Sequence, residues 1–272
     1  MKSLAAVGVR QYERAVESLE EYRRVIDTAW RVLLCCGAGV IHKGPATGAV
    51  CMVIASDQGM CGQFNESILN HALAQVPKLS AEASKLGFWT FGDKLRGALS
   101  DAGYGDEGCF SAPGSLAAIR DQVRDVIQRI ELWRSEQGIE YFYVCHNVVS
   151  AGGGYRQTCT RLLPLDREWA LARAREKWPN RCIPMIGLPE ELMFKHLFRE
   201  YLFVSLFRAF AQSLAGENAA RLMAMQAAEK NILELTEGLQ AGFRELRQAA
   251  ITDELLDIIS GFEALSEENH AL

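Results

Sequence analysis

The sequence predicts an α/β foot domain, a small mostly parallel sheet with flanking helices, joined to a long antiparallel coiled coil formed by the N- and C-terminal helices. Three observations lead there. Apolar residues repeat every seven positions near both ends of the chain. Between residue 49 and about residue 165, short apolar runs alternate with helical patterns, the texture of βαβ units. From Pro189 to Leu265 helical spacing continues without a further proline, on the order of 110 Å of helix at 1.5 Å per residue. A compact domain needs no helix of that length.

The first helix covers residues 1–36. Ala5, Tyr12, Leu19, Ile26 and Leu33 fall on one seven-residue row, and Val9, Val16 and Trp30 on another that Arg23 interrupts. Gly8 weakens the first turns by about 1 kcal/mol relative to alanine. GAGVIHKGPATG then ends the helix and marks a boundary.

The foot covers 37–188. Its expected elements are a strand at Ala49–Ala55, a helix at Glu66–Gln75, a strand at Phe88–Gly92, a short helix to about Ala102, a strand in GCFSA, a helix in SLAAIRDQVRDVIQRIELWRSEQG, and strands at Glu140–Ala151 and Gln157–Leu165. The proline-bearing stretch 166–189 reads as a surface connection or lid. The long helix takes 189–266, leaving 267–272 as a tail. Met225, Ile232, Leu239 and Leu246 form one row of its seam; Ala228, Leu235, Gly242, Ala249 and Leu256 form the other. The small residues of the second row would let a partner backbone come close. A second reading packs this helix on the sheet of its own foot.

A net charge of −5 without a basic block argues against nucleic acid as main partner. The longest apolar run, Val32 to Ile41, is about half the length that crosses a bilayer, and the first residues lack the apolar core of a signal peptide. The eight cysteines form no C-x-x-C pair and are expected to be reduced, mostly structural thiols, with adjacent Cys35 and Cys36 a weak redox candidate. The five histidines are scattered, and no Ser-His-Asp or paired-carboxylate set assembles from local spacing. No catalytic residue, cofactor or metal is expected.

SDQGMCGQFN, residues 56–65, follows a strand and opens a helix, the context in which backbone N–H groups can hold phosphate. It lacks the spacing of the dinucleotide fingerprint and the lysine of a P-loop. The alternative makes Gly59 and Gly62 turn residues with unusual backbone angles and Asn65 or Ser67 a helix cap. SAGGGYR, residues 150–156, reads as a hairpin-like or crossing loop. Near the chain end Arg244, Arg247, Gln248, Thr252, Asp253 and Glu254 gather charge of both signs. That is either a solvated helix face or a surface for transient contacts.

Three stretches together resemble one family, the gamma subunit of rotary F-type ATP synthases: SDQGMCGQFN, with Ser56, Asp57, Gly59, Cys61, Gly62 and Asn65; SLAGENAARLMAMQAA, residues 213–228; and RQAAITDELLDIISGFEAL, residues 247–265. The resemblance implies a helical central-stalk shaft turning inside a ring of alpha and beta subunits. Its foot would be held by the epsilon subunit and the c-ring, peripheral to the cytoplasmic face of a bacterial plasma membrane. It further implies that nucleotide chemistry belongs to the ring, and that Arg247, Gln248, Thr252 and Glu254 are the shaft groups touching it. Residues 184–214 are similar to the alternative, sodium-type branch of the family. The chain departs from the family pattern at Gly8 and Gln11, where members tend to be basic. MKSLAAV resembles an internal piece of the first arm, so a longer arm is expected, without which Leu239, Leu246 and Leu256 would be exposed. Against this stand a phosphate- or nucleotide-binding α/β protein using the glycine turn, and a coiled-coil scaffold.

Overall fold

The computed structural model describes residues 2–35, 48–79, 85–104, 106–137, 139–150, 154–165, 178, 182 and 185–270. The boundary at 37–47, residues 151–153 of SAGGGYR and most of the 166–189 connection lie outside them. The elements run α1 (Lys2–Cys35), β1 (Gly48–Ile54), α2 (Phe64–Leu79), β2 (Lys85–Phe91), α3 (Leu95–Asp101), β3 (Asp106–Phe110), α4 (Leu116–Gln137), β4 (Ile139–Val149), β5 (Tyr155–Leu163) and α5 (Glu190–His270).

The five strands form one sheet in the order β3-β2-β1-β4-β5. The β3–β2, β2–β1 and β1–β4 pairs are parallel; β5 returns antiparallel beside β4. Central β1 is buried along its whole length, which is why it reads as a continuous apolar run rather than an alternating one. Its Ala49, Cys51 and Val53 pack with Ile68 and Ala72 of α2 and Leu95 of α3. Val50, Met52 and Ile54 point the other way, into a core shared with Ile119 and Val123 of α4 and Leu202, Leu206 and Phe210 of α5. Two faces, each covered by helices, give the layered α/β arrangement the alternation predicts. At the two ends of SAGGGYR the antiparallel pairing of β4 and β5 continues, with Ser150 N–H donating to Gly154 O at 3.1 Å and Gly154 at φ +84°.

The chain resolves into two compact units, Met1–Ala224 and Met225–Leu272. In the first, α1 lies antiparallel along the beginning of α5. Gly8 meets Asn218, Glu20 pairs with Arg208 at 3.1 Å, Tyr22 Oη donates to Glu200 at 2.7 Å, and Trp30 sits edge-on to Phe194 at 5.3 Å. Tyr12 and Ile26 of the expected seam are buried and Leu19 is half-buried. Arg23 is accommodated at the rim by Glu20 and Asp27.

The α5 side of the expected seam is different. All these α1 pairs fall between residues 190 and 224, so Met225, Ile232, Leu239 and Leu246 are not the partners of Tyr12, Leu19 and Ile26. Ile232, Leu239 and Leu246 are 63%, 67% and 72% exposed, Leu256 is exposed too, and Met225 is half-buried. A Cβ at Gly242 would meet nothing within 4 Å, so its smallness serves no contact among the described residues. In this same stretch Leu202, Leu206 and Phe210 are fully buried in the core shared with β1 and α4. Up to Ala224, then, α5 is the sheet-packed helix of the second reading. It stays helical through 267–270, set apart above as a tail.

One cysteine expectation is corrected. Cys145 and Cys159 face each other across the β4–β5 ladder, Cα atoms 4.1 Å apart, and form a disulfide. The antiparallel register creates this proximity, and spacing along the chain does not show it. Cys51 lies against it, Sγ to Cys145 Sγ 3.5 Å, and burial pushes its thiol pKa up.

Candidate functional site

SDQGMCGQFN forms the connection from β1 to α2 at the C-terminal edge of the parallel strands, where open α/β sheets commonly hold ligands. Here its polar groups are spent on the chain itself. Ser56 is buried; its N–H donates to Asn65 Oδ1 at 3.0 Å, and Asn65 Nδ2 reaches back to Ser56 O. Ser56 Oγ accepts from Gln58 N–H at 3.1 Å and donates to Gln58 O at 2.7 Å. The carboxylate of Asp57 accepts from Asp93 N–H at 3.0 Å and from Ala112 N–H at 2.9 Å. One side chain thus ties the loops after β1, β2 and β3 together and occupies amides that would otherwise be free to meet an anion.

The turn differs in one respect from the sequence expectation. Left-handed backbone falls at Gly62 (φ +60°) and at Met60 (φ 61°), not at Gly59. Methionine pays the Cβ penalty for that conformation, and its exposed side chain leaves it no packing conflict. Asn65 acts across the turn on Ser56 rather than as a cap within α2.

The second family-like stretch meets the first. Cys61 and Phe64 are buried against Ala220 of α5, with Tyr155 beside them. Ser213 Oγ donates to Ile54 O at 3.4 Å, and a Cβ at Gly216 would lie in ordinary contact, 3.5 Å, with Asn147 and the Phe64 ring. Glu217 and Arg221, one turn apart, form an ion pair with only 10% and 11% of their side chains exposed. Burial, then the Glu217 charge, raises the pKa of both Tyr12 and Cys61. The sequence offered Glu217 and Arg221 only as letters of a motif; their i, i+4 spacing was the signal for the pair. Gly8 was read as a weak helix residue, yet a Cβ there would lie 2.9 Å from Asn218 Oδ1. Its lack of a side chain admits the partner helix.

The third stretch is separate from this junction. Arg247, Gln248, Thr252 and Glu254 all lie in the second unit and are exposed, with Thr252 Oγ1 donating to Gln248 O at 2.9 Å along the helix. Among the described residues no cluster of His, Cys, Asp and Glu could hold a metal ion, and no helix is long and apolar enough to cross a membrane.

Comparison with known proteins places the whole chain in one family. The family model described as ATP synthase matches residues 1–265. The chain is 27% identical to the ATP synthase gamma chain of Trichlorobacter lovleyi, over 97% of this chain and 91% of the relative. It is 28% identical to that of Parvibaculum lavamentivorans, over 97% and 92%. Among solved structures, the central stalk and c-ring assembly of the Tetrahymena thermophila mitochondrial ATP synthase contains a chain of similar fold, with TM-score 0.57 and 19% identity over 84% of this chain and 97% of that one. A chain of the Euglena gracilis mitochondrial enzyme has TM-score 0.56 and 16% identity over 94% of each. With the match running through all three motif stretches, the chain belongs to the ATP synthase family, as a gamma chain.

Proposed function

We propose that this chain is the central-stalk rotor of an F-type ATP synthase, working without a catalytic site of its own. The observation that carries the reading is the two-part character of α5. Its first part is anchored in the core of an α/β foot through Leu202, Leu206 and Phe210, while Arg247, Gln248, Thr252 and Glu254 are all exposed on the same helix. A helix fixed in a rigid body transmits torque; exposed groups of both signs make contacts that form and break without large desolvation. Alpha and beta subunits would surround the second unit, with epsilon and the c-ring on the foot. The assembly would sit on the cytoplasmic face of the membrane.

Asp57 supports the non-catalytic part of this reading, because it fills with carboxylate oxygens the place at the strand ends where a phosphate would need free amides. The likeness of 184–214 to the sodium-type branch bears on the transported ion, which is tested by whether sodium or protons support ATP synthesis in vesicles.

Co-expression with the other subunits of the same organism's ATP synthase, membrane sector included, tests the rotor reading. The full chain is expected to co-purify in a complex whose ATP hydrolysis is coupled to ion movement. A chain ending at Gly238 should keep its folded foot and lose coupling. Unchanged coupling after that truncation would contradict the proposal.

A further inference from the structure

On the face of the sheet that α5 covers, a cavity of about 430 Å³ opens between the β4–β5 hairpin and the paired helices α1 and α5. Its charged wall is assembled from three elements: Arg23 of α1, Arg156 of β5 and Arg208 of α5. Glu20 and Asp27 answer Arg23, and Glu20 also takes Arg208. Arg156 has no carboxylate partner among the described residues, so the wall keeps an excess of positive charge. The floor is His146 of β4, only 5% exposed, with Thr158 opposite it across the ladder. Gln212 Oε1 accepts from His146 Nε2–H at 3.0 Å, but His146 Nδ1 and Thr158 Oγ1, both buried, have no hydrogen-bond partner among the described residues.

Neutral His146, donating Nε2–H to Gln212 Oε1, presents Nδ1 as an acceptor that a P–OH can satisfy, and Thr158 Oγ–H can donate to a phosphate oxygen; left unpartnered beneath three guanidinium groups, both are costly. Arginine forks match the paired oxygens of phosphate and of carboxylate, but only phosphate keeps an O–H near pH 7 that can donate to an acceptor such as Nδ1. Burial first, and then the Arg208 and Arg156 charges, lower the pKa of His146 to about 4, while its bond to Gln212 works the other way. The ring is therefore neutral at pH 7 and the cleft carries its positive charge on the arginines.

We infer that this cleft binds a small phosphate-type anion, either inorganic phosphate or the phosphate end of a nucleotide, held by Arg156 and Arg208 over His146 and Thr158. The site shares no residue with the glycine turn, and it needs no partner subunit, so its failure is independent of the rotor reading.

Calorimetry of the full chain with inorganic phosphate, and separately with ADP, up to about 10 mM reads affinities in the millimolar range and tighter. One equivalent should bind. Arg156→Gln, an exposed change that spares the fold, and Arg208→Gln should each weaken binding at least tenfold, whereas Lys94→Gln just before α3 should not. The imidazole nitrogen signals of His146 should move on saturation. Binding of both probes, weakened alike by the variants, identifies the phosphate group as the ligand; binding of ADP alone identifies a nucleotide. Absence of heat with both probes, or equal affinity in the Arg156 and Arg208 variants, would overturn the inference.

Discussion

Asp57 Oδ2 accepts the N–H of Ala112 at 2.9 Å across 55 residues of chain, while its other oxygen accepts the N–H of Asp93. This joins three βα connections through one carboxylate. Asp57→Ala leaves two backbone donors without partners and should cost about 2 kcal/mol of stability, read by urea denaturation of the full chain. Asp57→Asn, which keeps one acceptor oxygen, should lose about half as much. No change in either variant would show the staple to be dispensable.

Gly8 and Asn218 should couple. Alanine at position 8 gains about 1 kcal/mol of helix propensity, but its Cβ would press on Asn218 Oδ1, whose amide nitrogen is held by Leu214 O at 2.8 Å. Gly8→Ala alone should therefore change stability little. The same change in an Asn218→Ala background should stabilise by about 1 kcal/mol relative to that background. A simple sum of the two single effects would mean that the helices do not touch there.

Burial lowers the pKa of His146 to about 4 from an ordinary 6.5. The unfolded chain therefore binds a proton at higher pH than the folded one does. The group's contribution is fully present above pH 6.5, declines as pH falls toward 4, and is lost below that, by a total of about 3 kcal/mol. His146→Gln should flatten this part of the stability profile, measured by denaturation at pH 7, 5.5 and 4.

Exposure divides the apolar residues of α5 into two groups. Leu206 is fully buried, so Leu206→Ala should destabilise the foot by about 3 kcal/mol. Leu246 is 72% exposed, and Leu246→Gln should shift the unfolding of the isolated chain by less than about 0.5 kcal/mol. A large loss from Leu246→Gln would show that the second unit is packed in solution.

Local signals explain what was legible beforehand. Seven-residue rows placed α1 from its first residues, and apolar runs bounded by glycine placed β1, β2 and β4 to within a few residues. What stayed hidden depends on register between distant segments. Nothing near Cys145 announces Cys159 as its cross-strand neighbour, and nothing near Asp57 announces the amides of Asp93 and Ala112. The rows through Tyr12 and Leu239 look alike in sequence, yet only the antiparallel alignment of Gly8 with Asn218 decides which α5 residues face α1. The cleft over His146 is likewise made by four elements whose sequences carry no common motif.

The central claim is mechanical, and observing rotation tests it most directly. In a complex assembled with alpha and beta subunits fixed to a surface, a bead attached to the foot should turn in one direction when ATP is supplied. Replacing Arg247, Gln248, Thr252 and Glu254 together with alanine should reduce the torque without unfolding the foot. ATP hydrolysis by that complex with a stationary bead on the intact chain would contradict the account.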